Sequence, residues 1–87
     1  MSADVTIQAA ANEAKTTRAL RVSKITREAQ DIASFELVDP LGLELPPFTA
    51  GAHLDVRIND DIRRQYSLCN DPQERDRYVI AVLNEPA

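Results

Sequence analysis

"HLDVRINDDIRRQYSLC", residues 53–69, reads as two strands and the turn between them. Leu54, Val56 and Ile58 alternate with His53, Asp55 and Arg57, which is the period of a strand with one face buried. Asn59, Asp60 and Asp61 favour a tight turn, because their short side chains bond to nearby backbone amides. The chain returns from Ile62 to Cys69, and Asn70-Asp71-Pro72 ends that second strand. A strand, a short turn and a strand make an antiparallel hairpin, so the pairing in this region is antiparallel.

Working outward from the hairpin, "RYVIAVL" (77–83) is apolar on both faces and predicts a central or buried strand. On the other side, "DPLGLELPPFTAG" (39–51) carries Pro40, Gly42, Pro46, Pro47 and Gly51 and reads as a long loop. "DIASFELVD" (31–39) puts Ala33, Phe35 and Leu37 on one face. In "RALRVSKITRE" (18–28), Leu20 and Val22 are in phase and Ile25 is not, which predicts a bulge between them. Strands are therefore expected near residues 19–28, 32–39, 53–59, 63–69 and 77–84. Residues 1–17 are polar and alanine-rich. They predict a flexible N-terminal tail, with at most a short helix from Ala9 to Lys15. Residues 18–87 then form the single domain, an all-β antiparallel barrel or sandwich. Five strands leave an edge open, which predicts an incomplete barrel lacking its last strand.

Composition excludes several functions. The 87 residues carry 14 acidic and 10 basic side chains, a net charge of −4, against the basic face that nucleic-acid binding requires. One cysteine and one histidine cannot build an internal disulfide, a zinc site or an iron–sulfur site. No apolar run approaches the roughly 20 residues of a membrane span. The N-terminus has neither the basic start nor the apolar core of a signal peptide. The expectation is a cytoplasmic protein with no membrane, nucleic-acid or metal partner.

Within "RRQYSLCNDP" (63–72), Arg64 and Tyr66 share a face at a spacing of about 6.5–7 Å. A guanidinium matches a phosphate bidentately, a tyrosine ring offers a flat apolar surface, and the Ser67 hydroxyl both donates and accepts. Those abilities suit a flavin nucleotide, whose ring nitrogen is an acceptor when oxidised and a donor when reduced. Strict alternation puts Ser67 on the face opposite Tyr66, so the strand is expected to end or twist there.

Arg64-Gln65-Tyr66-Ser67-Leu68 resembles the Arg-x-Tyr-Ser-Leu/Ile flavin motif of the ferredoxin–NADP reductase superfamily. With "PFTAGAHLDVRI" upstream and "CNDPQERDRYVIAV" downstream, residues 20–86 resemble the phthalate dioxygenase reductase group, which includes vanillate O-demethylase reductase components. The resemblance implies a Greek-key flavin-binding barrel, about five of its six strands falling within this chain. It implies that Arg64 binds the flavin phosphate, that Tyr66 packs on the isoalloxazine and ribityl chain, and that Ser67 lies near N5, where hydride arrives. Leu68 completes the implied set. FMN is the implied flavin, with FAD the alternative. NADH or NADPH, a [2Fe–2S] centre and a terminal oxygenase partner are implied only through domains that these residues do not contain. The Gly-rich, serine-containing helix start that completes the family's phosphate site is also lacking, since Gly42 and Gly51 are the two glycines.

Two functions are thus open: the flavin-binding part of an NAD(P)H-dependent oxygenase reductase, or a truncated, non-catalytic β-barrel fragment acting at most as an interaction module. The remaining polar residues have structural readings. Arg63 is expected to face away and pair with Asp60 or Asp61, His53 to be a surface histidine, and Cys69 a small buried thiol. Asn70 and Asp71 are expected to form the turn.

Overall fold

The computed structural model describes residues 6–11 and 17–83. Six strands form one antiparallel sheet: β1 (Thr6–Ala11), β2 (Arg18–Ala29), β3 (Ile32–Val38), β4 (His53–Arg57), β5 (Arg63–Ser67) and β6 (Tyr78–Leu83). The order across the sheet is β5-β4-β1-β2-β3-β6. No helix occurs among the described residues, so none there is long and apolar enough to cross a membrane. The all-β antiparallel architecture and the five expected strands are as the alternation predicts, as is the register shift between Val22 and Lys24 in the β2–β3 pairing.

β1 corrects the expected tail. Residues 6–11 are a strand paired on both sides, Ile7 opposite Leu20 of β2 and Ala9 opposite Val56 of β4. Residues 1–5 and 12–16 of that tail lie outside the described residues. Alanine favours a helix in isolation, but a helix here would leave the facing edges of β2 and β4 without backbone partners. Ile7, Ala9 and Ala11 all face inward, and the two alanines are 1% and 3% exposed. Their small side chains fit where β1 is sandwiched between neighbours on both sides.

The core is the inner face of this sheet: Leu20 and Val22 of β2, Leu37 of β3, Leu54 and Val56 of β4, Tyr78 and Ile80 of β6. The sheet rolls until β5 and β6, the two ends of the order, meet at a single bridge between Leu68 and Ile80. Beside it, the Cys69 amide donates to the Val79 carbonyl at 2.8 Å. β6 is accordingly at an end of the order and not central, with Ala81 and Leu83 exposed on its outer face. Its apolar outer positions misled the reading, because an outward alanine or leucine is tolerated at a surface.

The 39–52 loop is part of the core. Leu45 and Phe48 are buried, and Phe48 packs edge-on against Tyr78 with ring centroids 5.6 Å apart. The Tyr78 hydroxyl donates to the Pro46 carbonyl at 2.6 Å, and the Leu45 amide donates to the Arg75 carbonyl at 2.8 Å. The loop ends in a turn in which the Ala52 amide donates to the Thr49 carbonyl and Gly51 has φ 87°. Positive φ at the third residue of a four-residue turn is the conformation glycine supplies without strain. Gly51 thereby sets where β4 begins.

Candidate functional site

The hairpin that carries the motif is built from its turn outward. Asn59 Oδ1 accepts from the amides of Asp61 and Ile62 at 2.8 and 3.0 Å, and the Ile58 amide donates to the Ile62 carbonyl at 2.9 Å. This fixes the expected turn. Ile58, expected inside, lies beyond the end of β4 and is 52% exposed. The register that follows pairs Arg57 with Arg63, Val56 with Arg64, Asp55 with Gln65, Leu54 with Tyr66 and His53 with Ser67.

Opposed residues share a face, so Arg64 and Tyr66 lie on the side of Val56 and Leu54, which is the inner side. Tyr66 is half-buried and packs against the core, while Arg64 is exposed. Among the described residues the Arg64 side chain has no ion pair or hydrogen bond, whereas Arg18, Arg57 and Arg77 each pair with a carboxylate. Ser67 is exposed on the other face, opposite His53. The alternation runs unbroken through β5, so no twist brings Ser67 round to Tyr66. Leu68 is 7% exposed, lies in the core, and donates its amide to the Ala52 carbonyl at 3.0 Å.

What joins the two faces is the strand's edge. β5 pairs with β4 on one side, and its other edge meets β6 at the Leu68–Ile80 bridge, leaving Arg63 to Gln65 without a strand partner there among the described residues. A planar heterocycle with its own donors and acceptors can lie along such an edge, meeting backbone groups as an added strand does. From there it reaches Tyr66 on one face and Ser67 on the other. A free guanidinium for a phosphate, an aromatic surface, a hydroxyl and an open edge form a donor set that fits a flavin nucleotide.

Three neighbours differ from expectation. Asp60 pairs with Arg57 and not with Arg63, which stands opposite Arg57 on the outer face. Cys69 is exposed rather than buried. It follows the end of β5, where its thiol lies 3.4 Å from the Ser67 carbonyl. Asp55, beside Gln65 on the outer face, has Oδ1 buried without a partner.

Sequence reading missed a polar clamp on the outer face of β3 and β6. Arg77 Nη1 donates to Glu36 Oε1 at 2.7 Å, and its Nη2 donates to Glu74 Oε2 at 2.8 Å. The hydrogen bond from Arg77 holds both carboxyls below their ordinary range, and the two carboxylates raise Arg77 in turn. Asn70 completes the loop as a side-chain bridge, donating to the Arg77 carbonyl and accepting from the Val79 amide, each at 2.9 Å. Asp71 accepts from the Gln73 amide at 2.9 Å, so both residues shape the turn as expected. These groups line a groove of about 420 Å³ that includes Lys24, Thr26 and Cys69 but not Arg64, Tyr66 or Ser67. Arg77 and Glu36 are 41 residues apart, and no local pattern pairs them.

No family model matches the chain. Individual relatives do. The chain is 59% identical over 66 residues to the phthalate dioxygenase reductase of Burkholderia cepacia, covering 76% of this chain and 20% of that protein. It is 54% identical over 71 residues to the tert-butanol monooxygenase / tert-amyl alcohol desaturase reductase subunit of Aquincola tertiaricarbonis, covering 82% and 21%. Over 60 residues it is 58% identical to a vanillate O-demethylase oxidoreductase of Pseudomonas putida, covering 69% and 19%. Among solved structures, a phthalate dioxygenase reductase, described as a modular structure for electron transfer from pyridine nucleotides to [2Fe–2S], superposes with a TM-score of 0.71 at 56% identity, covering 76% of this chain and 21% of that one. Full-length CYP116B46 of Tepidiphilus thermophilus superposes with a TM-score of 0.73 at 39% identity, covering 78% and 9%. The chain thus spans about one fifth of the length of the curated relatives it matches.

Proposed function

We infer that this chain, which belongs to the phthalate dioxygenase reductase group of ferredoxin–NADP reductase-like proteins, is the flavin-holding part of an NAD(P)H-dependent reductase serving an oxygenase. The observation that carries this is the arrangement on β5. An arginine whose side chain has no partner among the described residues and an aromatic ring share one face, and a hydroxyl faces the other way where the strand ends. FMN is the proposed flavin, with FAD the alternative. A [2Fe–2S] centre and a terminal oxygenase component are the proposed electron acceptors in the parent protein, which we place in the cytoplasm.

When bound, the flavin supplies the exchange between two-electron chemistry at a nicotinamide and one-electron chemistry at an iron–sulfur centre. Arg64 binds its phosphate. Tyr66, half-buried against the core, gives the ring a flat apolar surface. Ser67 holds a hydrogen bond at N5, donating when that nitrogen is an acceptor and accepting when it carries hydrogen. The open edge of β5 supplies backbone donors and acceptors to the ring's rim.

The test is titration of FMN and FAD into the protein that carries this segment, followed by flavin fluorescence. FMN binding in the low-micromolar range or tighter, weakened by Arg64→Ala, is the expected result. Absence of flavin binding would favour the non-catalytic barrel.

A further inference from the structure

We propose that β1 is a detachable coupling strand. Docked between β2 and β4, it fixes the turn end of the β4–β5 hairpin; released, it frees that end while β2, β3 and β6 stay folded. This device follows from the strand order and does not depend on which ligand β5 holds.

The order β5-β4-β1-β2-β3-β6 divides at β1. The hairpin that carries Arg64 and Tyr66 lies on one side, and three strands that bury Leu20, Val22, Leu37, Tyr78 and Ile80 lie on the other. Two features join the halves. One is the clasp at the Ser67 end of the hairpin, where Leu68 bridges to Ile80 and the Cys69 amide donates to the Val79 carbonyl. The other is β1. Apart from the packing of Val56 into the core, β1 is what ties the turn end to the rest of the sheet among the described residues, with Gln8 opposite Arg57.

The rows across the sheet make the coupling specific. Ala9 stands between Arg18 and Val56, and Val56 stands opposite Arg64. Ala11 stands opposite Leu54, which stands opposite Tyr66. Arg18 pairs with Asp39 at 3.9 Å. One row therefore runs from Asp39 through β1 to Arg64, and withdrawing Ala9 cuts it.

β1 is also the strand least able to hold itself in place. Its sequence is TIQAAA, and alanine and glutamine prefer a helix. It buries two alanine methyl groups fully and Ile7 partly, where β6 buries Tyr78 and Ile80. Its backbone groups exchange protein partners for water at a modest net cost when it leaves. It thus opens at a lower free energy than the β3–β6 ladder. Whatever captures residues 6–11 loosens the arginine's end of β5 without touching it.

The amides of β4 report the event. The Ile58 amide donates to the Ile62 carbonyl, so by alternation the amides of Asp55 and Arg57 face β1, and that of Gln8 faces β4. The test is amide hydrogen exchange in the protein carrying this segment, without ligand. In the wild type, the Asp55 and Arg57 amides should exchange as one group with those of β1, about 10-fold or more faster than the amides joining β3 to β6. Gln8→Pro removes the amide that faces β4, at an exposed position that leaves the core side chains in place. It should speed exchange at Asp55 and Arg57 on the order of 100-fold and leave the β3–β6 and Cys69 amides unchanged. Gln8→Ala, which keeps the amide, should change neither group. In a folded Gln8→Pro protein, equal acceleration of the β3–β6 amides, or unmoved Asp55 and Arg57 amides, would overturn the proposal. If Gln8→Pro does not fold, the wild type decides: two exchange groups uphold the proposal, and one common rate for β1, β3, β4 and β6 overturns it.

Discussion

Arg77 Nη1 stands 2.7 Å from Glu36 Oε1, which fastens the loop before β6 to the middle of β3. The same guanidinium holds Glu74, so one cation organises two carboxylates whose pKa values are lowered mainly by its hydrogen bonds. A lowered folded-state pKa means that the unfolded chain binds protons more readily. The clamp's contribution is therefore complete above the ordinary value of 4.5 and is lost as pH falls through the lowered folded values. Arg77→Met should cost more stability at pH 7 than below pH 4.5, the difference growing as the pH falls. Urea unfolding at pH 7 and pH 3 measures this, and an equal loss at both would show that Arg77 acts through packing alone.

Tyr78 should respond at the alkaline end. Burial raises the pKa of its phenol above 10.0. A raised folded pKa gives stability that is present below pH 10 and lost as pH rises through the folded value. Tyr78→Phe should cost about 1–3 kcal/mol at pH 7, because the Pro46 carbonyl loses its 2.6 Å donor. It should also flatten the alkaline decline. Thermal unfolding monitored between pH 7 and 11 separates the two effects.

Gly51 is expected to tolerate a methyl group sterically and not conformationally. Nothing lies within 4 Å of where its Cβ would stand, yet its φ is 87°. Gly51→Ala should therefore cost about 1–2 kcal/mol from backbone strain alone. Denaturant midpoints give the loss, and a D-alanine introduced by semisynthesis should restore stability.

On β5, Arg64→Ala should weaken flavin binding more than Ser67→Ala does. A hydrogen bond to a charged partner contributes about 1.5–3 kcal/mol, or roughly 10- to 150-fold in affinity. Ser67→Ala should instead slow reduction of bound flavin by NADH, since its hydroxyl acts where the hydride lands. Tyr66→Ala should do some of both, losing about 1 kcal/mol of stacking beyond the buried area. Flavin titration followed by stopped-flow reduction ranks the three. Unchanged affinity in Arg64→Ala with an unchanged rate in Ser67→Ala would remove the motif assignment.

The local sequence carried most of the strand pattern because alternation and turn chemistry are short-range. The hairpin 53–69, its Asn59 turn and the bulge after Val22 all follow from residues within a few positions of one another. What failed to show depends on distant partners. Thr6–Ala11 is a strand because β2 and β4 leave a slot between them, and its alanines carry no such signal. The Arg77–Glu36 clamp and the Tyr78–Pro46 bond join residues more than thirty positions apart. At the site, alternation placed Arg64, Tyr66 and Ser67 correctly relative to one another.

The sheet's two ends meet at one bridge, Leu68 to Ile80, and Leu68 follows Ser67 directly. The roll is thus fastened like a bracelet, with its clasp beside the motif. On one side of the clasp, Leu68 and Tyr66 are tied into the core. On the other, Arg63 to Gln65 hang from β4 alone. The end of β5 proposed to hold the phosphate is thus anchored by β4 alone, while the end proposed to read the ring is anchored on both sides. A nucleotide gripped by such a strand has its charged tail held adaptably and its reactive ring held in register.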